Sequence, residues 1–242
     1  MPSPLTLSII VPAHNEALRI RNTIRRLQQE LHQFPQLSSE VLLVDDGSTD
    51  QTAAIVKQLS SIWPALKLVS RHPNQGKGEA VRSGMLLAKG QVRIFMDADM
   101  PVPPSTIWRF VDLIQGGNDI VIGSRRLPDA IITTAQPFYR RLMSRAYSQL
   151  VSVFTGLPYH DTQCGFKAFS GFAANACFTQ VQETGYGFDV ETLMLAQRLH
   201  LKIQETGVEW HHQAGGQIHP WRDSWRMGKA LISVTWRYRH QR

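Results

Sequence analysis

Cysteine is nearly absent: the 242 residues hold two, Cys164 and Cys177. That excludes a disulfide-stapled scaffold, and the pair has no metal-ligand spacing, so both read as inert thiols in a reducing compartment. Long apolar runs are missing too. No stretch reaches the about eighteen residues that a membrane-spanning helix needs. The N-terminal LTLSIIVPA has no basic leader and is too short and strand-like for a signal peptide, so the sequence predicts a chain made and kept in the cytoplasm. There is no internal repeat and no low-complexity tract. Acidic residues are in deficit, 19 against 26 Lys and Arg, for a formal charge of +7, which suits a polyanionic surface or substrate. No nucleic-acid recognition motif accompanies the basic residues, so nucleic acid is not an expected partner. An apolar fraction of 43% is enough for one large domain or two small ones.

What is present is alternation. Leu5 to Val11 reads as a strand stopped by Pro12, followed by a helix in which Ala17, Ile20, Ile24, Leu27, Leu31 and Phe34 recur at spacings of three and four. A second strand at Val41 to Val44 runs into Asp45-Asp46-Gly47-Ser48-Thr49-Asp50, whose last residues are good helix caps. Then come a helix through Ile55, Val56 and Leu59, a strand at Leu66 to Val69, the loop Arg71 to Gly78, and a helix with Ala80, Val81, Gly84 and Leu87. The strand Val92 to Met96, a helix with Ile107, Phe110, Val111 and Ile114, and a fifth strand at Asp119 to Ile122 complete the series. Strand and helix alternating five times predict an α/β fold with a mostly parallel sheet flanked by helices. Past Gly123 the alternation stops and no linker is visible. Residues 124–220 therefore read as an extension of one domain spanning 1–242, with 221–242 a basic amphipathic tail.

The segment QVRIFMDADMP organises this chemistry. Residues two apart in an extended backbone share a side, so Asp97 and Asp99 present paired carboxylates beyond the carboxyl end of their strand, where open α/β sheets bind ligands. Such a pair suits a hard divalent ion, Mg²⁺ or Mn²⁺, that also takes substrate phosphates; the plainer alternative is a solvated acidic junction. Two later segments are amphipathic. Phe138, Leu142, Ala146, Leu150 and Phe154 fall at spacings of four beside Arg140, Arg141 and Arg145, which fits either an interfacial helix or a core-facing helix with solvated arginines. In 221–242, Trp225, Leu231, Ile232, Val234, Trp236 and Tyr238 alternate with Arg222, Arg226, Lys229, Arg237 and Arg239. That composition suits a lipid headgroup layer, or else a helix packed on its own sheet or on a partner subunit.

SIIVPAHNE, VDDGSTD, NQGKGEAVRSG, MDAD and GSR, in this order, resemble the family-two inverting glycosyltransferases of the GT-A (Rossmann-like) fold. DTQCGFK at Asp161 to Lys167, FDVE at Phe188 to Glu191 and ETGVEWHHQAGG look most like the dolichyl-phosphate glucosyltransferase branch, over about Leu5 to Gly216. The resemblance implies that the 1–123 half holds a nucleotide sugar through Pro12, Ala13, Asn15, Glu16, Asp46, Lys77, Asp97 and Asp99, with Asp46 accepting from the base and Glu16 from ribose. Gly76 and Gly78 would let Lys77 and the backbone approach a phosphate or base closely. Asp99, with Asp97, would hold the metal. Pro101 stands where some polyprenyl-phosphate mannose synthases carry a glutamine ligand, which leaves the shell to Asp99, the diphosphate and water.

On the acceptor side the resemblance implies that Arg125 with Arg140 or Arg141 binds a lipid phosphate and that Asp161 and Gln163 line the sugar site. Ser144, Asp189, Glu191 and Trp210 would line the acceptor and sugar region, with Asp189 and Glu191 orienting hydroxyls or arginines. Gly215-Gly216-Gln217 replaces the family's GSK. The expectation is a peripheral enzyme on the cytosolic face of a membrane that moves a hexose, glucose first, from a UDP-sugar to polyprenyl phosphate with inversion. The alternatives are a GDP-mannose-using polyprenyl-phosphate mannosyltransferase and a nucleotide-sugar-binding, membrane-associated protein without turnover.

Overall fold

The structure, a computed structural model, describes residues 6–134, 137–213 and 220–239; the side chains of residues 140, 220–224 and 239 also lie outside the description. Nine strands and eight helices occur among the described residues, alternating strictly only through the first five strands. Strands β1 (Leu7–Ala13), β2 (Ser39–Asp46), β3 (Leu66–Arg71), β4 (Val92–Met96) and β5 (Ile120–Ser124) are separated by α1 (Ile20–Leu31), α2 (Thr52–Ser60), α3 (Lys77–Leu87) and α4 (Thr106–Gln115). Each expected element of this half is found, and four of the five strands run two residues further toward their carboxyl ends, β4 ending at Met96 as expected. Beyond it lie β6 (Ile131–Thr134), α5 (Phe138–Thr155), β7 (Phe166–Ser170), α6 (Gly171–Phe178), α7 (Phe188–Arg198), β8 (Ile203–Gly207), β9 (Glu209–His211) and α8 (Pro220–Arg239).

Seven strands form one sheet in the order β3-β2-β1-β4-β7-β5-β8, and β6 pairs with β9 in a small second sheet. All neighbours in the large sheet are parallel except β7, which lies antiparallel between β4 and β5. The sequence reading ended the alternation at Gly123, yet β7 and β8 belong to the main sheet. β7 escapes a pattern search because Lys167 breaks a five-residue run and is itself buried at 1% exposure.

Period-two alternation sorts the core. Leu7, Ile9 and Val11 of β1 face one apolar cluster with α1, α2 and α4, whereas Ile10 faces the other with α3, α6 and α7. β4 does the same, with Val92, Ile94 and Met96 on one side and Phe95 on the other. Fully burying such a side chain contributes about 1.5–3 kcal/mol, so a sheet covered on both faces takes its stability from both. The chain leaves β1 toward β2 and β3, then returns to place β4 on the other flank of β1. That reversal opens a crevice at the carboxyl ends of β1 and β4.

The two amphipathic segments behave differently. On α5 the stripe Phe138, Leu142, Ala146, Leu150 and Phe154 faces outward, and the core is reached instead by Val151 and partly by Tyr147. The core-facing alternative for that stripe is therefore wrong. α8 divides: Leu231, Val234 and Tyr238 are buried against the second cluster, while Trp225, Ile232 and Trp236 are exposed.

Gly84 tests the packing of α3 on the sheet, because a Cβ there would lie 2.4 Å from Ile10 Cγ2 and 3.0 Å from Val44 Cγ2. Alanine would gain about 1 kcal/mol of helix propensity, but overpacking typically costs about 1–3 kcal/mol. Gly84→Ala is expected to lower the urea-unfolding free energy by about 1 kcal/mol or more; a stabilised variant would show that α3 is free to shift off the sheet.

Candidate active site

Two clefts open at the carboxyl edge of the sheet. The first, about 710 Å³, lies over the reversal between β1 and β4 and is lined by Pro12, Ala13, Glu16, Asp46, Lys77, Asp97 and Asp99, seven of the eight residues expected to hold a nucleotide sugar. Asn15 is not among its lining residues. Its Oδ1 instead accepts from the backbone N–H groups of Thr49 (2.8 Å) and Asp50 (3.3 Å), tying the loop after β1 to the loop after β2.

Asp46 is buried at the end of β2, and its carboxylate accepts from the backbone N–H groups of Gln75 (3.1 Å) and Gly76 (2.7 Å). It thereby shapes the loop that starts α3. The glycines of that loop serve a protein neighbour: a Cβ on Gly76, whose φ is +104°, would lie 2.6 Å from Thr184 O, and one on Gly78 would lie 2.6 Å from Glu183 O. The close approach expected for a ligand is thus made by the 183–185 backbone. Lys77 follows, with its Nζ 2.6 Å from Asp97 Oδ1. Burial opposes its charge, but Asp97 and then Asp189 outweigh burial and hold the lysine protonated.

No metal is part of the structure, so the residues themselves must be tested for fit. Burial first, then the charge of Asp97, push the Asp99 carboxyl up to about 6 against the opposing pull of Lys77 and Arg19. A desolvated carboxylate beside a second one is short of positive charge, and a divalent cation meets that need. Among the described residues no three His, Cys, Asp or Glu side chains converge. The residues fit an ion that takes one or two carboxylates and completes its shell with phosphate oxygens and water.

The second cleft, about 490 Å³, is lined by Arg125, Arg126, Ile132, Arg141, Ser144, Arg145 and Trp210. Arg125, at the end of β5, is clamped by Asp161: Nε and Nη2 donate to the two carboxylate oxygens at 2.6 and 2.8 Å, and the Arg125 backbone N–H adds a third bond at 3.0 Å. Burial alone would raise the Asp161 carboxyl, but the Arg125 charge and its hydrogen bonds hold it well below the usual carboxylate range. The guanidinium also lies 5.8 Å from the Trp210 ring centroid. Arg126 donates to Ser144 O and Oγ, both at 2.8 Å, and so ties α5 to the end of β5. The side chain of Arg140 and residues 214–219, including Gly215-Gly216-Gln217, lie outside the described residues.

Three expected lining residues are turned elsewhere. Asp161 was expected in the sugar site, yet it is fully buried and both its oxygens go to Arg125. Asp189 is buried against Lys167 Nζ at 2.5 Å, and Lys167 in turn donates to Cys164 O at 2.7 Å. Glu191 is fully buried and accepts from the 182–183 backbone and from α8. Like these three, Gln163 lines neither cleft. Other lining residues were not anticipated: Arg19, the loop Glu183–Gly187, and Arg226, Met227 and Ala230 of α8 in the first cleft, and Arg126 in the second. Only Arg126 carried a sequence signal, its place beside Arg125.

A glycosyl transferase family 2 model matches residues 8–178. The chain belongs to that family. It is therefore a glycosyltransferase, and its mostly parallel sheet with flanking helices is the GT-A fold. It is 33% identical to a dolichyl-phosphate beta-glucosyltransferase of Drosophila melanogaster, over 97% of this chain and 76% of that protein. With the Dictyostelium discoideum protein of the same name it shares 32% identity over 96% of this chain and 74% of the other. It also matches the glycosyltransferase AglD of Haloferax volcanii at 31% identity, spanning 95% of this chain but 37% of that longer protein. Glucosyl-3-phosphoglycerate synthase from Mycobacterium tuberculosis, solved with Mn²⁺, UDP-glucose and phosphoglyceric acid, superposes with a TM-score of 0.70 at 20% identity, over 95% of this chain and 79% of that one.

Removing one partner of a buried ion pair leaves the other charge uncompensated, at a cost of about 3–5 kcal/mol. Asp161→Asn should therefore lose about 3 kcal/mol in chemical denaturation, and adding Arg125→Gln should return part of that loss. Strict additivity of the two substitutions would mean that the clamp does not hold in solution.

Proposed function

We propose that this protein transfers glucose from UDP-glucose to the phosphate of a polyprenyl phosphate, with inversion at the anomeric carbon. The observation that carries the reading is that the segment Asp161–Gly165, which lines neither cleft, contacts a lining residue of each. Asp161 fixes Arg125 at the arginine cleft, while Gly165 leaves room for Asp97 at the carboxylate cleft, its absent Cβ falling 1.9 Å from the Asp97 carboxylate and its carbonyl accepting from the Asp97 backbone N–H at 3.1 Å. Donor and acceptor sites are then neighbours by construction.

The first cleft takes the donor. Asp97 and Lys77 face the diphosphate end, Asp46 and the first-strand loop the nucleoside, and Asp99 is the ligand for Mg²⁺ or Mn²⁺. When bound there, such an ion would supply positive charge to offset that of the departing diphosphate. In the second cleft Arg125, Arg141 and Arg145 with Ser144 receive the acceptor phosphate, a role guanidinium groups fill by bidentate contact. No carboxylate or imidazole lines that cleft among the described residues, and none is needed. A phosphate monoester has its second pKa near about 6 and is already an anion at neutral pH. Its oxygen forms a bond to the anomeric carbon from the face opposite UDP, the anomeric C–O bond to the diphosphate breaks, and the electron pair leaves with UDP. The protein contributes alignment and charge neutralisation.

The acceptor's lipid accounts for the outer surface. α5, which supplies Arg141, Ser144 and Arg145 to the arginine cleft, packs along α8, and the side chains Phe138, Leu142, Leu150 and Val153 of α5 and Trp225, Ile232 and Trp236 of α8 are exposed. No helix among the described residues is long and apolar enough to cross a membrane. Docking on the cytosolic face of an anionic membrane, with tryptophans at headgroup depth, suits this pair.

Label from UDP-glucose is expected to enter the organic phase when the purified protein is given a dispersed polyprenyl phosphate and Mg²⁺ or Mn²⁺. Label from GDP-mannose instead would move the donor assignment, and UDP release or UDP binding without lipid-soluble label would refute the lipid acceptor. In the same assay Asp99→Asn should lower turnover by at least about 100-fold while leaving the melting temperature within a few degrees. Near-normal activity in that variant would remove the metal from the account.

A further inference from the structure

Glu191 sits fully buried on α7, and every group that reaches its carboxylate is a donor. Oε2 accepts from the backbone N–H groups of Gln182 (3.0 Å) and Glu183 (2.6 Å). Oε1 accepts from the Tyr238 hydroxyl (3.0 Å) and the Arg237 guanidinium of α8. One oxygen thus serves a loop and the other a helix, and both lead to the donor cleft. The loop supplies Thr184 to Gly187 as one stretch of its wall; α8 supplies Met227 and Ala230 as the next. The two stretches touch, since a Cβ on Gly187 would lie 2.7 Å from Ala230 Cβ. The loop also packs backbone-on-backbone against Gly76 and Gly78 on either side of Lys77, where Glu79 N–H donates to Thr184 O at 3.2 Å.

We infer that Glu191 is a positioning residue for the donor. It locks the 182–187 loop and α8 into one wall, so that the fit of the nucleotide depends on a carboxylate that touches no substrate. Glutamine cannot replace it, because its amide NH₂ would face either the two backbone N–H groups or the Arg237 guanidinium, donor against donor. The inference deepens the reading of the first cleft as the UDP-sugar site and rests on it.

The test titrates UDP calorimetrically into the wild-type protein, Arg237→Gln, Arg237→Lys and Tyr238→Phe, with donor KM, kcat and melting temperature measured alongside. Arg237→Gln is expected to weaken UDP binding and raise donor KM about tenfold, the size of one charge-assisted hydrogen bond. kcat at saturating donor should stay within about twofold, since alignment of the bound reactants is kept. Arg237→Lys, which keeps the charge, should recover most of the affinity. Tyr238→Phe loses a single hydroxyl and should shift UDP affinity in the same direction by a smaller factor. If the wild type binds UDP and both Arg237→Gln and Tyr238→Phe bind it equally well while melting lower, Glu191 merely fastens α8 and the inference is overturned. If the wild type does not bind UDP, the donor reading falls first and takes the inference with it.

Discussion

The salt bridge between Asp161 and Arg125 is closed on its carboxylate side and open on its guanidinium side, and that asymmetry sets the geometry of the whole carboxyl edge. A fully buried Asp161 requires a partner, because an unpaired carboxylate there would be several kcal/mol out of place. Arg125 satisfies both its oxygens, and Glu205 of β8 holds the same turn from behind by accepting from the Asp161 backbone N–H at 2.8 Å. The next residues are constrained in turn. Gly165 must be glycine because Asp97 fills the space a side chain would take, and Lys167 must reach Asp189 because neither charge has water to turn to. β7, wedged antiparallel between β4 and β5, carries these contacts from the arginine cleft to the carboxylate cleft.

Electrostatics at that edge divide cleanly. Asp97 and Asp99 leave the first cleft short of positive charge even with Lys77 in place, and Arg125, Arg126, Arg141 and Arg145 leave the second short of negative charge. A cation with a nucleoside diphosphate answers the first need and a phosphate monoester the second. In the proposed reaction a phosphoryl oxygen in one cleft would stand beside a sugar held in the other, and charge developing on the departing diphosphate would meet groups already oriented toward it. The helix α5 that supplies arginines to the second cleft also carries exposed apolar side chains, as does α8 packed along it, and these would meet the long apolar tail of the proposed acceptor.

Much of this was legible in the residues alone. The β1 to β5 alternation is written in short apolar, β-branched runs separated by helix-period segments, and the carboxylates of Asp97 and Asp99 are placed by the end of their strand, so a local rule finds them. What local rules miss is contact across the chain. Asp161 in DTQCGFK reads as a residue lining the sugar site, and only a partner 36 residues away in sequence shows it to be the keeper of an arginine. Glycines on both sides of Lys77 announce a close approach without saying to what, and here the neighbour is the 183–185 backbone. Glu191 reads in the sequence as orienting sugar hydroxyls or arginines, and its burial is invisible there because the donors that surround it come from a loop and from a helix near the end of the chain. β7 and β8 were lost for a related reason: short strands need apolar side chains less when their buried lysine and threonine find partners.

The account turns on two adjacent sites held apart by one segment, and a crystal structure with UDP, Mn²⁺ and a short-chain polyprenyl phosphate tests it most directly. The account predicts the diphosphate and metal beside Asp99, the acceptor phosphate in hydrogen-bonding contact with Arg141 and Arg145, and the Asp161–Arg125 clamp unbroken between them. A phosphate bound away from the arginine cleft, or an Arg125 released from Asp161 to reach the diphosphate, would contradict it.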